Sequence, residues 1–151
     1  MRREAMSKPA DTLILRRARI EEHDELEQLQ AHASLELPEH RDRLLSDPAD
    51  VHLPPAQIAN GQVIVAEYRG QIAGFAAVVG GQLDGLFVEP DLWGRGIGRA
   101  LVDAATLDAR KKGLALSVIA NPSVRRFYES CGFALEGEEQ TRFGLAYKMS
   151  K

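Results

Sequence analysis

Leu13, Ile14 and Leu15 form an apolar run that leads into the basic stretch Arg16–Arg19, and this pattern predicts a strand over Thr12–Ile20. Leu26, Leu29 and Ala33 then recur at helical spacing among polar neighbours, which makes Glu21–Leu35 an amphipathic helix. Pro38 to Asp47 reads as a short second helix. Pro48, Pro54 and Pro55 break the next stretch into a loop. Residues 1–11 are polar and read as a flexible lead-in.

From Gly61 onward the apolar segments shorten. Val63–Tyr68 and Ile72–Val79 are separated by Arg69-Gly70-Gln71, the pattern of a hairpin. Gln82–Glu89 is a further strand, ended by Pro90. Ile97, Leu101, Ala104 and Ala105 share one face of a helix running to about Lys112. Its last turn carries Arg110, Lys111 and Lys112, where cations suit the helix dipole, and Gly113 provides the stop. Leu114–Ala120 has the texture of a buried strand. Asn121 and Pro122 suit the start of another helix, with Val124, Phe127, Tyr128 and Cys131 as its apolar stripe and Gly132 as its end. Phe133–Glu136 and Phe143–Met149 form a last strand pair around a polar Gly137–Arg142 turn. The order β α α β β β α β α β β, without a repeat or linker, predicts one α/β domain over residues 12–151.

Length and composition narrow the classes. The chain has 151 residues, 44% hydrophobic and 27% charged, enough for one core. Its net charge of −3 argues against a sequence-independent grip on nucleic acid, although Arg16, Arg17 and Arg19 cluster, as do Arg125 and Arg126. One cysteine, Cys131, excludes an intrachain disulfide and any zinc site built on several thiolates. No apolar run approaches the roughly 20 residues of a membrane span. A reducing, cytoplasmic setting is the simplest expectation.

The most informative stretch is Leu92-Trp93-Gly94-Arg95-Gly96-Ile97-Gly98-Arg99-Ala100, between a strand and a helix. Glycines admit a ligand close to the backbone, and the free N–H groups at a helix start favour an anion. Arg95 and Arg99 add positive charge. A phosphate loop of the nucleoside-triphosphate type needs a Gly-Lys-Ser/Thr ending, which is missing here. The dinucleotide fingerprint needs a third glycine three residues after the second, and neither Gly94-x-Gly96 nor Gly96-x-Gly98 has it.

Gly94-Arg95-Gly96-Ile97-Gly98 resembles the acetyl-CoA signature of the GNAT superfamily, usually written Gln/Arg-x-x-Gly-x-Gly/Ala, with Trp93 in place of the first residue. Leu86-Phe87-Val88-Glu89-Pro90 is similar to that family's central strand, and Asn121-Pro122 with Phe127-Tyr128 and Gly132-Phe133 to its downstream segment. The similarity of order and spacing runs from about Thr12 to Lys148. It implies a mixed, mostly antiparallel sheet splayed between strands 4 and 5 and flanked by about four helices. Acetyl-CoA is then the co-substrate, needing no metal. The residues this resemblance sets against it are Leu86, Phe87, Val88, Trp93, Gly94, Arg95, Gly96, Ile97, Gly98, Arg99, Asn121 and Phe127.

The implied reaction is acetyl transfer to an amine. An alkylamine of pKa near 10.4 is only about 0.04% neutral at pH 7, so a base must remove its proton. Asp84 and Glu89 are the carboxylates near the central strand, whereas Gln82, near the family's usual glutamate position, carries an amide that cannot serve. Tyr128 matches the family's acid, which would protonate the leaving thiolate; core packing in the stripe of Val124, Phe127 and Cys131 is its other reading. Cys131 has no histidine close in sequence and reads as a structural thiol. His23, His32, His40 and His52 match no metal-ligand spacing and read as solvated or acceptor-pocket residues. The resemblance puts the acceptor pocket within about Glu21–Gln57, an acidic region suited to a cationic amine. Expected partners are therefore a small-molecule or peptide amine, with a homodimer left open and no membrane. Two alternatives stand beside an enzyme of this kind: a non-catalytic acetyl-CoA-binding sensor or scaffold, and a toxin acetylating aminoacyl-tRNA, which the net charge disfavours.

Overall fold

The computed structural model describes residues 12–36, 52–141 and 144–151. Its strands are β1 (Leu13–Arg17), β2 (Val63–Tyr68), β3 (Gln71–Val79), β4 (Gln82–Val88), β5 (Ser117–Ala120), β6 (Ala134–Thr141) and β7 (Gly144–Ser150). They form one sheet in the order β1-β2-β3-β4-β5-β7-β6. The pairs are antiparallel except β4–β5, which is parallel. The α-helices among the described residues are α1 (His23–Leu35), α2 (Pro55–Ala59), α3 (Ile97–Lys111) and α4 (Arg125–Ser130). None is long and apolar enough to cross a membrane.

Alternation along β2 explains how the sheet is covered. Val63 and Val65 face one core with Leu26 and Leu29 of α1, Ile58 of α2, Leu53 and Phe75. Ile64 and Ala66 face the other, which holds Ile97, Leu101, Val102, Ala105 and Ala109 of α3 together with Leu116, Val118 and Met149. Both faces of β2 and β3 are thus buried, and the strands read as nearly unbroken apolar runs.

Several boundaries move. β1 stops at Arg17, and Ile20–Glu22 forms a 3-10 turn that feeds α1 at His23. The residues expected as a loop around Pro54 and Pro55 include α2, because a proline at the first helical position loses no hydrogen bond and has its φ already set. β5 starts only at Ser117, with Leu114 left exposed. The expected turn Gly137–Arg142 is mostly strand: Gly137 to Thr141 pair with Lys148 to Gly144. Polar residues suit this strand because β6 is an edge and largely exposed. The expected helix at Pro38–Asp47 and the lead-in 1–11 lie outside the described residues.

The basic residues that end β1 are neutralised within the fold. Arg16 bonds Glu67 on β2 through Nε (2.5 Å) and Glu22 through Nη2 (2.6 Å), while Arg17 reaches Asp108 of α3 at 2.6 Å. Hydrogen bonding to Arg16 holds the Glu22 carboxyl below the usual range, and the bond to Arg17 does the same for Asp108. These arginines tie β1 to its neighbours.

Candidate active site

β4 and β5 are joined by only two residue pairs, Gln82–Ser117 and Leu83–Val118. The next residue, Asp84, sits in a bulge: Leu83 pairs with Val78 and Gly85 with Ala77, leaving Asp84 as the extra residue on β4. Beyond this bulge β4 keeps its bonds to β3, but its other edge opens into a cleft of about 600 Å³. Leu86, Phe87 and Val88 line one wall, the loop and start of α3 (Trp93, Gly94, Gly96–Arg99) close the end, and Val124, Phe127 and Ser130 supply the far side.

The glycines of the turn have distinct reasons. Gly94 (φ +82°) and Gly96 (φ +81°) occupy the left-handed region, and an added Cβ would meet nothing within 4 Å at either. That space belongs to the cleft. At Gly98 a Cβ would come within 3.2 Å of the Phe127 ring, so this glycine lets α4 approach α3. Ala100 is the first residue of α3 to donate back into the helix, to Gly96 at 3.0 Å, which leaves the preceding N–H groups of Ile97, Gly98 and Arg99 without intrahelical acceptors at the cleft. Arg99 also reaches the Ser130 hydroxyl at 3.1 Å. Open space, free donors and a nearby cation fit the diphosphate of a CoA thioester.

The open edge of β4 has a feature with no signal in the sequence. Glu89 donates its backbone N–H to Ala73 (2.8 Å), so the Val88–Gly74 pair is non-hydrogen-bonded and Val88 turns its own N–H and C=O away from β3. The Trp93 indole donates to this Val88 carbonyl at 2.8 Å. Trp93, which stands where the signature has Gln or Arg, is thereby folded back along the strand.

The candidate catalytic residues are placed differently from one another. Asp84 is exposed and accepts a hydrogen bond from Gln57 Nε2 of α2 at 3.1 Å. Glu89, at the far end of β4, pairs with His32 Nδ1 of α1 at 3.0 Å, and that hydrogen bond raises the imidazole above its ordinary value. Glu25, Gln28, Leu29, His32, Ile72 and Glu89 line a separate small pocket there. Tyr128 is 7% exposed, with its ring edge-on to Phe127 and Phe133. Burial pushes its hydroxyl well above the usual phenol range, so it stays protonated. Asp84, Glu89, Arg95, Asn121 and Tyr128 do not line the cleft itself, and Arg95 extends toward the Tyr68 ring instead.

Sequence reasoning names no individual role for Gln57 and Ala33, which fall within the expected acceptor region, for Leu92 at the edge of the glycine stretch, or for Ser123 and Ser130. The last two lie between the residues quoted from the downstream segment, and their spacing around Phe127 is the one signal the chain offers for them. His23, Asp24 and Glu27 bring ligand atoms within 4.8 Å of one another, away from the cleft. Their bonds already have a use: His23 Nε2 lies 2.7 Å from the Leu53 carbonyl and Glu27 accepts the Leu53 N–H at 2.9 Å, so the group fastens the segment before α2 to α1.

The family model for the acetyltransferase (GNAT) domain matches residues 59–135. No curated protein matches the sequence. Among solved structures, a GCN5-related N-acetyltransferase from Rhodopseudomonas palustris is 26% identical with a TM-score of 0.76, over 96% of this chain and 98% of that one. The apo form of YjaB from Escherichia coli is 25% identical with a TM-score of 0.70, over 92% and 97%. PaiA N-acetyltransferase from Thermoplasma acidophilum, in complex with coenzyme A, shares the fold at 18% identity with a TM-score of 0.72, over 93% and 98%.

Proposed function

Because this chain belongs to the GNAT acetyltransferase family, we propose that it moves the acetyl group of acetyl-CoA to a primary amine of a small molecule or peptide, by direct attack with both substrates bound. The observation that carries this reading is the parting of β4 from β5 at Asp84, which opens a cleft ending on the glycine turn. In this reading the N–H groups at the start of α3 and the Gly94–Gly98 turn bind the diphosphate, with Arg99 beside them. The open edge of Leu86–Val88, on which Trp93 already takes the Val88 carbonyl, and the ring of Phe127 hold the pantetheine arm.

Asp84 takes a proton from the amine, whose nitrogen then bonds the acetyl carbon as the carbon–sulfur bond breaks. The departing thiolate takes its proton from Tyr128. Asp84 is preferred over Glu89 because it sits at the parting itself, whereas Glu89 is engaged by His32 at the strand's far end. Tyr128 is supported as the acid by its place in α4 directly behind Phe127, whose ring lines the cleft.

The test is free-thiol release from acetyl-CoA across a panel of alkylamines, polyamines, aminoglycosides, peptide α-amines and lysine peptides. At least one amine should accelerate release and be recovered acetylated. Tight acetyl-CoA binding with no release from any amine would replace this reading with a non-catalytic module.

A further inference from the structure

α2 is short, yet its position is well determined. Ile58 and Leu53 are buried in the core, Gln57 N donates to Pro54 at 3.0 Å, and the Gln57 carbonyl accepts from Gln62 at 2.9 Å. The backbone of Gln57 is therefore held at both ends, on the element that faces the β4 bulge. Its side chain spends its two polar ends unequally. Nε2 donates to Asp84 Oδ2, while Oε1 is buried and meets no hydrogen-bond donor. Turning the amide over would set its oxygen against the carboxylate, so the observed orientation is the one electrostatics selects.

A buried carbonyl oxygen without a donor opposes folding, and an apolar side chain of similar length would remove that penalty. A residue kept in such a conflict points to a role other than stability. Asp84 supplies one. It projects from a bulge, where the strand ladder no longer constrains it, and among the described residues Gln57 is its hydrogen-bond donor. One carboxylate oxygen is engaged by Gln57 Nε2, which leaves the other for an acceptor amine.

We propose that Gln57 is a positioning residue for Asp84, its amide holding the carboxylate toward the acceptor amine and kept there against the stability of α2. This rests on Asp84 being the base. Misplacing a reacting group by about 1 Å costs up to about a hundredfold in rate.

The experiment compares Gln57→Met, Asp84→Asn and the double variant, reading thiol release from acetyl-CoA with the fastest amine of the panel alongside thermal melting. Gln57→Met should lower kcat about tenfold to a hundredfold, leave the acetyl-CoA KM unchanged, and melt at the wild-type temperature or above it. The double variant should be no slower than Asp84→Asn alone, because Gln57 acts through that carboxylate. Wild-type kcat in Gln57→Met overturns the proposal, as does a lower melting temperature or failure to fold, either of which makes the amide structural. Rate losses that multiply in the double variant overturn it too. If Asp84→Asn keeps the wild-type rate, the base assignment fails on its own, and the positioning role fails with it. If Asp84→Asn is slow and Gln57→Met is not, only the positioning role is lost.

Discussion

The two edges of β4 are made of the same seven residues and end differently. Toward β3 it pairs at six positions, from Gln82 to Val88, with one bulge. Toward β5 it pairs at two. Both sides bury apolar side chains, so hydrophobicity does not set them apart. Direction does: β3 leads into β4 through a two-residue Gly80-Gly81 turn and must run antiparallel, whereas β5 returns through α3 and runs parallel. Parallel strands can also pair along their length, so the early stop belongs to β4 itself, whose pairing with β5 ends where the Asp84 bulge re-aims the strand. The part of that edge beyond the two pairs is thereby left facing a cleft.

Perturbing each side separately sharpens this contrast. The largest effect is expected at the open side, from Tyr128→Phe. It keeps the ring between Phe127 and Phe133 and removes the proton; kcat should fall about 10²–10⁴-fold, the usual range for a general acid, at unchanged acetyl-CoA affinity. A donor with a more acidic thiol should recover part of the loss. A full wild-type rate would reduce Tyr128 to core packing.

On the zipped side Gly74→Ala is the probe. A Cβ there would lie 2.7 Å from the Phe87 carbonyl oxygen and 3.3 Å from Leu101, with no flexible chain end able to give way to the first. Denaturant unfolding should show a loss of about 1–3 kcal/mol, the range for an overfilled core. Undiminished stability would mean the two strands are less tightly joined than their register implies.

Gly96→Asp returns to the cleft with the smallest expected change. Aspartate is among the few residues that tolerate the left-handed region, so the turn should persist while a negative charge enters the open space. Titration calorimetry should show acetyl-CoA affinity falling at least about tenfold, or about 1.4 kcal/mol. Unchanged affinity would move the diphosphate elsewhere.

Much of this frame is legible along the chain. β2, β3, β4 and α3 fall within one or two residues of their expected ends because each carries a strong period or an apolar run bounded by glycine or proline. The polar half of β6 reads as a turn because an exposed edge strand carries no alternation to detect. α2 is hidden by its own prolines, which break a helix from within and begin one from the front. The glycine turn is visible because its residues are consecutive. Bonds between distant residues are not: Gln57 meets Asp84 across 27 positions and His32 meets Glu89 across 57. The bulge that exposes Asp84 is set by the β3 register, which no local period encodes.

The two-pair join between β4 and β5 has a mechanical consequence. Four strands, β1 to β4, and three strands, β5 to β7, are coupled chiefly by side chains, with Leu83, Leu116, Val118 and Met149 packed against α3 across the gap. Relative motion of the two parts breaks at most the two β4–β5 pairs of the ladder, but it must also repack these close-fitting side chains. The width of the cleft is therefore set by the core that spans the seam, and not by the backbone ladder.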